Sequence, residues 1–132
     1  MLQNKIAVVT GGTRGIGYAI VQKFLQNGAK VVLFGSREET VVKAVASLKE
    51  ENPDWDVSGA WPKLTDAAAM ADAIAKIKEK YGRIDILVNN AGGYPKEIYK
   101  NIEHQAIKIW EWSEEQWDQI IKTNLRIPFL VT

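Results

Sequence analysis

The chain has 132 residues, 46% of them hydrophobic, enough to bury the core of one domain and too few for two. Its 17 Lys and Arg against 16 Asp and Glu leave a net charge of +1, which argues against a nucleic acid or an anionic membrane as partner. The absence of cysteine excludes a disulfide framework, a thiolate nucleophile and a Cys-ligated metal, and fits a reducing, cytoplasmic compartment.

Met1 to Lys5 lead straight into a short apolar run, and nowhere do 18 apolar residues follow one another, so neither export nor a membrane span is expected. Ile6 to Val9 reads as a strand buried on both faces that stops at Thr10-Gly11-Gly12. Ile16, Ile20, Val21, Phe24 and Leu25 then recur at helical spacing up to Asn27-Gly28, a left-handed stop. Val31 to Phe34 forms a second strand, after which Ser36 and Glu39 have the spacing of a capping box for a helix that Asn52-Pro53 ends. Trp55 to Trp61 is the third expected strand, interrupted by Ser58-Gly59 and closed by Pro62. Thr65 is placed to cap a helix that carries Ala67, Met70, Ala71, Ile74 and Ile77 and ends at Tyr81-Gly82; Ile84 to Val88 is the fourth strand.

This β-α-β-α-β-α-β order predicts an α/β fold of the Rossmann type. Right-handed crossovers place its parallel strands as 3-2-1-4, with helices on both faces and a crevice where the order reverses. Gly93 to Trp112 reads as loop, and Ser113 with Gln116 as a second capping box before a helix through Trp117, Ile120, Ile121 and Leu125 that Pro128 should kink or end. Neither an internal repeat nor an interdomain linker is visible, so residues 1–132 are one domain.

Thr10-Gly11-Gly12-Thr13-Arg14-Gly15-Ile16-Gly17 lies between the first strand and the first helix, where backbone N–H groups and the helix dipole suit a pyrophosphate. Read alone, the loop is weak evidence, since a plain turn before a helix is the alternative. Its glycine spacing, T-G-x-x-x-G-x-G rather than G-x-G-x-x-G, resembles that of the short-chain dehydrogenase/reductase family, and Asn89-Asn90-Ala91-Gly92 after the fourth strand resembles the family's N-N-A-G. The likeness runs from Lys5 over essentially the whole chain and is loosest from Gly93 to Trp112.

The resemblance implies a partial NAD(P)-binding domain of an oxidoreductase that interconverts alcohols and carbonyls, similar to bacterial 3-oxoacyl reductases and hydroxysteroid dehydrogenases. It implies dinucleotide contacts from Gly11, Thr13, Arg14, Gly15, Ile16, Gly17, Ser36, Arg37, Leu64, Asn90, Ala91 and Gly92. Asn124 falls where the family has a helical Asn that organises its catalytic groups. A basic residue after the second strand accommodates the NADP 2′-phosphate, so Arg37 and Arg14, with Ser36 as neutral donor, favour NADP; Glu38 and Glu39 keep NAD open. Lys63 stands where the family carries an Asp that meets the adenine amine.

The family's Tyr-x-x-x-Lys pair is absent: Tyr18 is followed four residues on by Gln22, Tyr81 by Asp85, Tyr94 by Ile98 and Tyr99 by Glu103. The chain is thus expected to bind cofactor without transferring hydride alone, as an enzyme fragment or as a nucleotide-binding or self-assembling module. Trp110, Trp112, Trp117, Ile121 and Phe129 are expected to form an apolar surface hidden by self-association, most simply in a symmetric dimer, whereas Trp55 and Trp61 are expected to pack. His104 has no partners for a metal, and Lys76, Lys78 and Lys80 read as a solvated helix face.

Overall fold

Period-two alternation along the strands builds two cores, one on each side of a parallel sheet. The computed structural model describes residues 1–93 and 109–132. Strand β1 (Ile6–Thr10) pairs with β2 (Lys30–Phe34) on one side and β4 (Ile86–Val88) on the other, and β2 pairs with β3 (Val57–Ala60), giving the order β3-β2-β1-β4 that the sequence predicts. Ala7, Val9, Val31, Leu33 and Val57 point to the side where α1 (Gly15–Gln26) and α2 (Glu38–Glu51) contribute Val21, Leu25, Val41, Ala44 and Leu48. Ile6, Val8, Val32 and Phe34 point to the opposite side, against Met70, Ala73 and Ile77 of α3 (Ala67–Tyr81). Every residue of β1 is buried, which explains why its sequence is a continuous apolar run.

Beyond the strands come a short turn of 3₁₀ helix (Ile109–Glu111), α4 (Glu114–Ile121), a π-helical turn (Lys122–Arg126) and α5 (Ile127–Val131). Ser113 and Gln116 make the full capping box: the Ser113 hydroxyl accepts the Gln116 N–H at 3.2 Å while the Gln116 side chain accepts the Ser113 N–H at 2.9 Å. Ile127 and Val131 bring α5 onto the α3 side of the sheet.

Several local expectations shift by a residue or two. Helix α2 begins at Glu38 with Arg37 as its N-cap and no side-chain cap, so the Ser36–Glu39 box does not form; Ser36 is left in the turn. Asp66, not Thr65, caps α3, its carboxylate accepting the N–H groups of Ala68 and Ala69 at 2.9 and 3.2 Å, a charged acceptor being the stronger partner for a helix start. Strand β3 is shorter than Trp55–Trp61, because Trp55 sits in a turn, its N–H donating to Asn52. Strand β4 starts at Ile86, since Asp85 just before it spends its carboxylate on the Ile6 N–H at 2.8 Å.

Pro128 does not end the last helix. A proline offers no N–H to the carbonyl four residues back, and the wider π turn immediately precedes it, after which α5 continues with Pro128 in its first turn. Trp55 packs against the core as expected, but Trp61 is 45% exposed. Tyr94, Tyr99, His104 and most of the Gly93–Trp112 segment lie outside the described residues.

Candidate functional site

Thr10, the last residue of β1, organises the carboxyl end of the sheet. Its side chain is fully buried; the hydroxyl accepts the N–H groups of Asn90 and Ala91 at 3.0 and 2.9 Å and donates to the Val88 carbonyl at 3.3 Å. Asn90 answers across the same gap, its amide donating to the Thr10 and Gly11 carbonyls at 3.1 and 3.2 Å. These bonds clamp the loop after β4 onto the loop after β1, so the two sequence motifs become opposite walls of one cleft.

The glycine loop is packed to backbone contact on one side and open on the other. A Cβ on Gly17 would lie 2.1 Å from the Gly11 carbonyl oxygen and 2.5 Å from the Asn90 amide nitrogen, so only glycine lets α1 start this close to β1. Gly15, at φ +55°, meets nothing within 4 Å. Helix α1 has no acidic residue in its first turn and no side-chain cap, whereas α3 and α4 are capped by Asp66 and Ser113. Its N-terminus therefore presents N–H groups and the positive end of the helix dipole to the cleft, the arrangement that takes a phosphate.

The cleft has a volume of about 490 Å³. Gly11, Thr13, Arg14, Gly15, Ile16 and Gly17 form one wall, Asn90, Ala91 and Gly92 the other, and Ser36 and Leu64 lie at the end near β2 and β3. Among the described lining residues Arg14 is the one charged group, and no carboxylate is present. Arg37 is not in the lining: it is exposed at the N-cap of α2, next to Ser36.

Asn124 also stands outside the lining, in the π turn. Its amide donates to the Gly93 carbonyl at 2.8 Å and to the Ile120 carbonyl at 3.0 Å, and its side-chain oxygen accepts the Gly93 N–H at 2.9 Å. It thus pairs with Gly93 as one backbone pairs with another, and fixes the helix against the loop that follows β4. A parallel tie runs from the Asn89 amide to the Thr132 hydroxyl at 3.0 Å.

Sequence reasoning passed over Gly35, Thr123 and Ile127, and placed Thr10 in the glycine-loop motif without giving its side chain a role. Gly35 lines the cleft where a Cβ would press to 2.6 Å from Thr13, and the glycine directly after β2 is the signal that pointed to it. Thr123 and Ile127 reach the cleft through the π turn, which no local pattern announces.

A family model described as short chain dehydrogenase matches residues 5–132. The chain is 45% identical over 129 residues to 3alpha-hydroxysteroid dehydrogenase of Mediterraneibacter gnavus, an alignment covering 98% of this chain and 48% of that protein. It is 35% identical over 125 residues to a 3-oxoacyl-[acyl-carrier-protein] reductase of Chlamydia muridarum, covering 95% and 46%. Among solved structures it is similar to gox2181, with a TM-score of 0.85 at 31% identity over 98% of this chain and 46% of that one. It is also similar to a metagenomic short-chain oxidoreductase in complex with NADP, with a TM-score of 0.81 at 29% identity over 98% and 53%. The chain spans about half the length of the curated relatives it matches. With the sheet order, the glycine loop and the Asn90 clamp all in place, the chain belongs to the short-chain dehydrogenase family.

Proposed function

We propose that this chain is the cofactor-binding portion of an NAD(P)-dependent oxidoreductase that interconverts an alcohol and a carbonyl, and that it prefers NADP(H). The observation that carries the reading is the cleft itself: an uncapped helix N-terminus, an open glycine at its mouth, Arg14 on its wall and no carboxylate among its described lining residues. A pyrophosphate fits the α1 N-terminus, and Arg14 and Ser36 supply a cation and a hydroxyl for a ribose phosphate, with Arg37 at the rim. The bound nicotinamide would supply or accept the hydride. Asn90 and Thr10 hold the loops at their separation, Ile16 and Leu64 give the cleft apolar contact, and Asn124 positions the turn after Gly92.

The reading leaves the acid–base pair outside this chain, since none of its tyrosines has a lysine four residues on. A second reading, self-association, is favoured by Trp117, Ile121, Leu125 and Phe129, which recur every four residues along α4, the π turn and α5 with exposures of 47, 36, 64 and 79%. Trp110 is exposed as well, whereas Trp112 is half-buried.

Titration of the purified chain with NADPH and NADH, followed by cofactor fluorescence, tests the first reading. Saturable binding, tighter for NADPH, with the preference lost in Arg14→Ala and reduced in Arg37→Ala, supports it. A folded chain that binds neither cofactor rules it out and leaves the assembly reading, which light scattering measures independently.

A further inference from the structure

A second concavity, sharing no lining residue with the glycine-loop cleft among the described residues, lies between α3 and the β3 edge of the sheet, with a volume of about 500 Å³. Its floor is Val32, Ser58 and Ala60 of the sheet, and its wall is Ala69, Ala73 and Ile77, one residue per turn of α3. The small side chains of Ala69 and Ala73 are what leave the space. Trp61 and Pro62 close one end, Tyr81 the other, and Ala69 to Tyr81 spans about 18 Å along the helix.

At the Tyr81 end the groove meets a recess of about 510 Å³ beneath the amino ends of β1 and β2, the two sharing Lys80 and Tyr81. The recess presents three cations, Lys30, Lys80 and Arg83, and no carboxylate lines it among the described residues. Lys30 lies 3.7 Å from Asp56 and Arg83 3.0 Å from Asp85, so both are partly offset. Lys80 is in no ion pair among the described residues; its ammonium rests 4.7 Å over the Tyr81 ring, and the Tyr81 hydroxyl donates to Asp56 at 3.0 Å, which holds the ring at the junction. On the groove's outer rim Lys76 is already paired with Asp72 at 2.7 Å. Lys78, adjacent in sequence, lines neither concavity and remains a solvated charge. All three α3 lysines are exposed, as the sequence predicts, but they differ in what they touch.

An apolar channel about 18 Å long that opens on three cations, two of them partly offset by Asp56 and Asp85, matches one ligand chemistry, an apolar chain with an anionic head. A neutral hydrocarbon would leave the cations unused, and a polyanion would leave the groove unused. We propose that the α3–β3 groove and the recess beneath it form a second binding site, for a single-chain carboxylate amphiphile whose tail lies along Ala69, Ala73 and Ile77 and whose carboxylate meets Lys80 with Lys30 and Arg83. The groove runs from Trp61 and Pro62, just beyond the carboxyl end of β3, to the recess at the amino ends of β1 and β2; among the described residues it shares no lining residue with the dinucleotide cleft, and the proposal does not rest on the cofactor reading.

Calorimetric titration of the purified chain with sodium decanoate below its micelle concentration tests it, with decanol and decyltrimethylammonium as neutral and cationic comparators. One saturable decanoate site is expected, with both comparators weaker by about tenfold or more, the loss of one charge-assisted contact. Lys80→Glu, at an exposed position, should weaken decanoate by about tenfold or more, and Ala69→Trp should remove binding by filling the groove, with circular dichroism unchanged in both. Absence of decanoate binding, equal binding of decanol, or decanoate binding untouched by both variants overturns the proposal. So does retention on phosphatidylglycerol vesicles without binding of monomeric decanoate, which would make the surface a membrane contact.

Discussion

Thr10 accepts two hydrogen bonds from Asn90, eighty residues away: the Asn90 N–H donates to the Thr10 hydroxyl at 3.0 Å, and the Asn90 side-chain amide donates to the Thr10 carbonyl at 3.1 Å. The pair sets the width of the cleft. Thr10→Val keeps the shape of the side chain but removes the acceptor, leaving the half-buried Ala91 N–H without its partner while the Asn90 N–H keeps the Val88 carbonyl at 3.1 Å, at a cost of about 1–3 kcal/mol. Urea unfolding should show a loss in that range, with NADPH affinity falling alongside because the two walls are no longer tied.

Two glycines of the loop should respond differently to alanine. Gly17→Ala drives a Cβ into the Gly11 carbonyl and the Asn90 amide, backbone and clamp at once, so destabilisation of about 1–3 kcal/mol or more is expected together with loss of dinucleotide binding. Gly15→Ala meets no atom within 4 Å and costs about 1–2 kcal/mol through its left-handed backbone. Its binding defect should exceed its stability defect, because the new methyl group occupies space next to the α1 N-terminus. Parallel thermal melts and NADPH titrations of the two variants separate the cases.

Asn124 both donates and accepts in its pairing with Gly93, which makes the acid a sharper test than the deletion. Asn124→Asp keeps the acceptor for the Gly93 N–H but sets a carboxylate against the Gly93 and Ile120 carbonyls, whereas Asn124→Ala removes all three bonds. Both should destabilise by about 1–2 kcal/mol. Lowering the pH through the carboxylate range should partly rescue the acid variant, because protonation restores a donor, and leave the alanine variant unchanged relative to wild type.

Asp85 gives the fold an acid-sensitive joint. The Ile6 N–H and the Arg83 guanidinium hold its carboxyl below the ordinary carboxylate value of about 4. A depressed folded value means that the stabilisation is complete above the unfolded value and is lost as the pH falls through the folded one. Stability of the wild-type chain should therefore decline below about pH 4, and Asp85→Asn should show a lower plateau at neutral pH with a shallower acid decline. Denaturant midpoints measured from pH 2 to pH 7 read both.

How far the sequence could be read follows from the range of the forces involved. The order of strands and helices was legible because an apolar run such as Ile6–Val9 and a helical stripe such as Val21 and Leu25 record burial directly. Helix starts were legible only where the cap is local and unopposed: Ser113 with Gln116 was readable, whereas Asp66 displaced Thr65 because a charged acceptor one residue on made the better start. The cleft walls were readable from two motifs, but the bonds joining them link residues about eighty positions apart, and Thr123 and Ile127 come in through a π turn set by tertiary packing. The α3 lysines are exposed, as the sequence reading has them; the pairing of Lys76 with Asp72 and the placement of Lys80 over Tyr81 are contacts within α3 that the charge pattern did not single out.

The most direct test of the central claim is amide chemical-shift mapping of the isotope-labelled chain on addition of NADPH. The account expects saturable shifts at Gly11, Gly15, Gly17, Ser36, Leu64 and Asn90 to Gly92, with Lys30, Lys80 and Tyr81 unmoved. An unchanged spectrum at saturating NADPH, or shifts confined to the α3–β3 groove, would contradict it.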